Sequence, residues 1–270
     1  MSIVKEEHSL SFRDIIGTSF VKLKGCKFAI IVPLLFGYGV LHSVMKLMEP
    51  LRPSLGPYLM EFLAIMVSAI LIAPFLAGIF KVALNQTRGY PIKLFSGFYY
   101  FNKTIPLAIV LAIESLLQML PTLLMSLASP SAAEAQATTI EKAHISASVL
   151  PIGVTGLLML LYILFMVILT LAFSFAPFFI VEDKSLSPKQ AIFGSFHFFK
   201  KHPFLTFAIH ITVYLLILLT AVPLYCAYIY LKPIFIILSF PIIWFFPMIY
   251  TAQACLYDRI LHNTNKEHQE

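Results

Sequence analysis

Glu114 and Gln118 stand one helical turn apart inside an otherwise apolar run, Thr104 to Ala128. A carboxyl group there can serve a membrane pathway as a proton relay or substrate-binding group. It can also stay protonated and hydrogen-bonded as a packing group. His210 lies seven residues into a later apolar run, Pro203 to Leu231. At a helical rise of ~1.5 Å per residue, Glu114 sits ~15 Å and His210 ~10 Å into their runs from the same side. A Glu114–His210 pair is therefore geometrically open. Glu61 lies near the outer end of its own run, so only one acid is central. That favours packing over a relay, and a histidine in such a place is most often a satisfied polar residue.

Other chemistry is hard to find. The chain has no HExxH, GxSxG, Walker A or dinucleotide glycine fingerprint. Cys26, Cys226 and Cys255 form no CxxC pair and no metal-ligand spacing, and read as small packing residues. The patch Gly153-Val-Thr-Gly156 fits close helix packing. No catalytic residue, metal or cofactor is expected.

The elements that must position these groups follow from composition. Of 270 residues, 59% are hydrophobic and 12% charged, and the mean hydropathy is +0.88. A soluble domain carries about 25% charged residues, so the bilayer is the expected solvent. Six apolar runs reach the ~20 residues that a span needs: Lys27 to Leu47, Pro57 to Leu84, Thr104 to Ala128, Val149 to Val181, Pro203 to Leu231 and Pro233 to Leu256. The polar start MSIVKEEHS is not expected to be a cleavable signal. With both termini in the cytoplasm, 15 of the 19 lysines and arginines fall on the inside, as the positive-inside rule requires. The net charge of +6 is then mostly a topology signal. The basic residues are spread over the inside loops with no nucleic-acid motif, so nucleic acid is not an expected partner.

Three segments align on a phenylalanine: SFRDIIGTSFVKLKGCKF on Phe20, GYPIKLFSGFYYFNKTIP on Phe98 and SPKQAIFGSFHFFKKHPF on Phe196. Apolar residues recur at helical spacing before and after it. The preceding residue is always small (Ser19, Gly97, Ser195), and lysine follows at the fourth or fifth place (Lys24, Lys103, Lys200, Lys201). Ser11 and Ser187 sit where an N-cap would. The second span of each pair carries a proline near its inner end: Pro74, Pro177 and Pro247. The chain therefore reads as an all-α, polytopic membrane protein in one domain, with pseudo-repeats 11–84, 89–181 and 187–258. Each repeat begins with an amphipathic helix expected to lie in the cytoplasmic interface, over Ser11–Gly25, Gly89–Lys103 and Ser187–His202. Lys22, Lys24, Lys103, Lys189, Lys200 and Lys201 would then lie near lipid headgroups, with anionic membrane lipid as the expected partner.

The stretches APFLAGIFKVALNQ, RGYPIKLFSGF and FAPFFIVEDKSLSPKQAIFGSFHFFKKHPFLTF resemble a family of bacterial inner-membrane proteins. The wider group includes the YciC-like proteins and the membrane domain fused to some glycerophosphodiester phosphodiesterases. The pattern falls here on Ala176, Pro177, Glu182, Asp183, Ser187, Pro188, Ala191, Ser195 and Lys200, and the resemblance covers Ile72 to Leu218. It implies a fold and a bacterial inner membrane, and lends no established activity. The phosphodiesterase catalytic domain is absent from this sequence.

Three function classes remain: a non-enzymatic organiser of lipid or partners, a small-solute or ion transporter or channel using Glu114, and a membrane-embedded enzyme. The missing motifs place the enzyme last. A polar, water-accessible cavity at Glu114 would favour transport, and a tightly packed bundle would favour the organiser, which is the expected reading.

Overall fold

The computed structural model of the chain describes residues 11–98, 100–128, 152–182, 186–230 and 246–262. Every regular element among them is helical. α1 (Phe12–Met48) is followed by a 3-10 turn (Glu49–Leu51), the short α2 (Arg52–Leu55) and α3 (Pro57–Thr87). Two 3-10 turns, Ser96–Phe98 and Phe101–Lys103, lead into α4 (Thr104–Ala128). Then come α5 (Ile152–Phe173), α6 (Ala176–Glu182), α7 (Pro188–Lys201), α8 (Pro203–Tyr230) and α9, residues 246–262. The loop 129–148, Asp183, Lys184 and the first part of the sixth apolar run lie outside the described residues.

Four helical stretches are long and apolar enough to cross a membrane: Phe12–Ser54, Leu59–Thr87, Phe101–Pro121 and Leu160–Glu182. They coincide with the first four apolar runs. α8 carries a shorter apolar stretch, Pro203–Leu215. Large apolar side chains such as Leu35, Ile105 and Leu160 are 64%, 74% and 62% exposed. Soluble monomers rarely expose such surface in continuous patches.

The three basic segments do not share one structure. The third is the short helix its pattern implies. Ser187 and Gln190 form a reciprocal capping box: the Ser187 hydroxyl accepts from the Gln190 N–H, and the Gln190 side chain accepts from the Ser187 N–H. The helix stops at His202, whose backbone leaves the helical region (φ −133°, ψ 56°), and Pro203 starts α8.

The first segment, expected to be a separate helix over Ser11–Gly25, runs unbroken into the following span as part of the 37-residue α1. Gly25 looks like a break in sequence but acts as a contact. A Cβ there would fall 2.5 Å from Gln86 Nε2 of α3, so the missing side chain lets α3 approach while the helix continues.

The second segment, expected to be a helix over Gly89–Lys103, holds only turns and two 3-10 turns. Gly89 takes φ 79° and ends α3, and Pro91 follows. Gly97 then lies against the backbone of α3: a Cβ on Gly78 would fall 1.6 Å from the Gly97 carbonyl oxygen. Regular helix geometry gives way to this close approach.

The small residue that marks each segment is buried in all three. Gly97 meets α3 at Gly78 and α1 at Ala29 and Pro33. The Ser195 hydroxyl donates to the Ala172 carbonyl (2.5 Å) and accepts from the Phe175 N–H (3.1 Å), bridging the turn between α5 and α6. Ser19 donates to Ile15 O in its own helix at 2.6 Å and meets the Cys255 thiol of α9. Beside it, Arg259 of α9 donates to Thr18 Oγ1 at 3.1 Å. Through these small residues the second segment meets α3, the third the α5–α6 turn and the first α9, while the first also meets α3 at Gly25.

The core gathers where those three elements meet. Leu84, Phe178 and Tyr257 are at most 1% exposed. The Tyr257 ring stacks on Phe178 at 5.4 Å and meets Phe179 edge-on at 5.1 Å, while Phe198 of α7 packs at 5.6 Å. Phe80 of α3 closes on Phe178 at 4.9 Å. Such edge and stacking contacts fix how the rings, and the helices that carry them, meet.

Candidate functional site

The polar groups inside the apolar helices form two separate sets. Gln118 Nε2 donates to Glu114 Oε1 one turn away at 3.2 Å and reaches Thr170 Oγ1 of α5 at 3.4 Å. His210 pairs elsewhere. Its Nδ1 faces the Thr206 carbonyl at 2.8 Å, which fixes the ring proton there, and its Nε2 accepts from Gln253 of α9 at 2.8 Å. The Glu114–His210 pair is therefore not formed, because both histidine nitrogens are taken. Gln253 lies in the sixth apolar run, and sequence reading missed it; its signal was a lone amide among alanines in TAQACLY. Tyr214 stands between the two sets, one turn beyond His210 and within Coulombic reach of Glu114.

A cleft of about 380 Å³ opens between α5 and α8. Met166 and Val167 of α5 face Phe207 and Ile211 of α8, with Thr170 and His210 among the lining side chains. Glu114 is not part of its wall, and the lining is almost wholly apolar. Among the described residues, no buried side-chain nitrogen or oxygen lacks a hydrogen-bond partner.

A third polar centre joins the ends of the inner helices. Arg88, just past α3, donates from Nε to Asp258 Oδ1 of α9 (2.7 Å) and from its NH2 group to Glu182 Oε1 of α6 (2.5 Å). The Tyr257 hydroxyl donates to the other Glu182 oxygen at 2.5 Å. Burial works to lower the Arg88 pKa, but the bonds to Asp258 and Glu182 outweigh it and raise it, so the charge is permanent. In the sequence Arg88 is one of the 15 inside charges, and Glu182 belongs to the pattern that resembles the inner-membrane family. The available signal was an ionisable residue just beyond each of three apolar runs: Arg88 after Leu84, Glu182 after Val181 and Asp258 after Leu256.

No family model matches the chain, and no curated protein or solved structure is significantly similar to it. Its function must be read from its own surfaces.

The basic surface is the remaining candidate. Lys24, Lys189, Lys200 and Lys201 are exposed and Lys22 is half-exposed. Lys103 departs from the expectation: it is 7% exposed, drawn in with the 3-10 turn that packs against α3, and cannot face headgroups freely. On α7 the stripe Ala191, Ser195 and Phe198 faces the bundle, while Phe193 and Phe196 are 65% and 41% exposed beside the lysines. Lys189 Nζ stands 6.0 Å from the Phe193 ring centroid. The arrangement presents aromatic rings and ammonium groups on one side of one short helix.

Proposed function

We propose that this chain is a multi-pass protein of a bacterial inner membrane, with six spans and both termini cytoplasmic. It organises anionic lipid at its cytoplasmic face and carries out no catalysis. Membership in the inner-membrane family that its AP…SP…K pattern resembles is part of the proposal.

The observation that carries it is α7. This helix packs its small residues on the bundle and turns Phe193, Phe196, Lys189, Lys200 and Lys201 outward. A helix with rings for the acyl boundary and ammonium groups for phosphates suits an anionic interface, where each lysine contributes ~1 kcal/mol at low salt. The inside bias of 15 lysines and arginines supports the same orientation. The three-repeat reading is supported by the small residue at the same place in each basic segment, which is buried in all three.

Transport through Glu114 draws less support. Its carboxyl is bonded to Gln118, and the neighbouring cleft is lined by apolar groups.

The test is lipid retention. The K200Q/K201Q protein, purified from a membrane of mixed headgroups, should keep less anionic lipid per protein than the parent while inserting normally. Equal anionic lipid content in the two proteins overturns the organising role.

A further inference from the structure

We propose that the cleft between α5 and α8 holds one acyl chain of an anionic glycerophospholipid, whose phosphate lies against Lys200. The inference rests on the lipid-organising reading and names the lipid's seat.

The cleft runs along α8 from Phe207 to Tyr214. Counted from Pro203, those positions lie ~6 Å and ~17 Å down the helix. In a hydrocarbon core ~30 Å thick, that interval runs from within one leaflet to about the midplane. The volume of about 380 Å³ is within the ~300–1,000 Å³ typical of small-ligand sites.

The chemistry of the walls selects the occupant. Met166, Val167, Phe207 and Ile211 offer only apolar surface. Of the three polar side chains, two are already engaged, Thr170 with Gln118 and His210 with Thr206 and Gln253, and the third, Tyr214, lies at the far end of the cleft. A polar solute or ion would meet a wall that is almost wholly apolar, whereas an alkyl chain requires no polar partner. Val167 and Ile211 are also 37% and 42% exposed, so the cleft opens sideways on the apolar surface.

The mouth supplies the charge. Phe196 of α7 packs edge-on against Phe173, the last residue of α5, at 5.5 Å. Lys200 lies one turn further on the same face of α7, and α8 begins three residues after it. Lys200 thus follows a residue that meets the end of the α5 wall and precedes the start of the α8 wall; in the proposed site the phosphate lies on this side, with its acyl chain running down between the walls.

The test uses two phospholipids that carry the same photoreactive diazirine midway along one acyl chain, one with an anionic glycerol headgroup and one with a zwitterionic headgroup. The full-length protein is reconstituted with each in turn, illuminated, digested and analysed for labelled peptides. Label from the anionic lipid should concentrate on 166–171 and 207–214. V167W, which fills the cleft, should reduce wall labelling to the level seen on the exposed face of α1. I211W does the same from the other wall if V167W does not fold. K200Q should reduce the preference for the anionic lipid at the walls by roughly fivefold at low salt.

Label spread evenly over α1, α4 and the cleft walls overturns the proposal, as does wall labelling that survives both tryptophans. Equal wall labelling by the two lipids overturns the headgroup assignment. If the walls are unlabelled while K200Q/K201Q still lowers total anionic lipid, the organising role stands and the cleft site falls. If total anionic lipid is unchanged in that variant, it is the organising role that fails.

Discussion

Arg88 Nε donates to Asp258 Oδ1 across 2.7 Å, tying the end of α3 to α9 over 170 residues of chain. The same guanidinium holds Glu182, 94 residues away, so one side chain links three inner helices.

Arg88→Met should loosen that link and leave two carboxylates facing each other. All three side chains are about one-quarter exposed, so the loss should fall below that of a fully buried pair, at about 1–3 kcal/mol. Arg88→Lys keeps the charge but not the two-armed geometry, and should recover only part of it. Thermal unfolding in detergent ranks the variants; a Lys variant as stable as the parent would show that charge alone holds the link.

Glycine substitutions should separate contact from flexibility. Gly78→Ala drives a methyl into the Gly97 carbonyl, backbone against backbone, and should cost about 3 kcal/mol or more. Gly17→Ala, exposed on α1 with nothing within 4 Å, should instead stabilise by about 0.5–1 kcal/mol. Paired melting curves check the signs. A neutral Gly78→Ala would mean that α3 and the 96–98 turn do not meet as described.

Ser195→Ala removes the acceptor for the Phe175 N–H and the donor to Ala172. With that buried backbone amide unpaired, the turn between α5 and α6 should loosen, at about 1–3 kcal/mol. Hydrogen exchange at residues 172–178 should speed up in the variant, while α4 is unaffected. Unchanged exchange would leave α7 no part in holding the turn.

The six-span orientation can be read by labelling. On a cysteine-free background, Ala137→Cys should react with an impermeant maleimide from the outside and Lys189→Cys should not. The reverse pattern would invert the topology and put the lysines of α7 on the wrong side of the membrane.

Glu114→Gln keeps an acceptor for Gln118 and removes the titration. The variant should fold, and vesicles bearing either protein should show no solute or ion flux beyond the empty control. Flux in the parent that disappears in the variant would restore the transport reading.

The features legible in sequence were those encoded locally. Apolar length marked the first four runs, and Ser187-Pro188 marked a helix start; that Gln190 completes a capping box there appears only in the structure. The small column Ser19, Gly97 and Ser195 was visible too, though its role as a packing contact was not. What escaped depends on tertiary approach. A single glycine such as Gly25 is ambiguous until its neighbour Gln86 is known, and Gly97 abandons helix geometry only because Gly78 comes so near. Likewise His210 was read against the nearest carboxyl in depth, whereas its partner Gln253 is an amide 43 residues on.

The contact between Thr18 and Arg259 has a consequence for biosynthesis. The two residues are 241 positions apart. At roughly 5–20 residues per second of synthesis, the start of α1 waits on the order of 10–50 seconds before α9 exists to receive it. Through that interval Thr18 and Ser19 wait for the α9 residues they meet in the folded chain, Arg259 and Cys255. Closure of this side of the bundle is then a late step, in which the last helix covers a face of the first that has stood open until then.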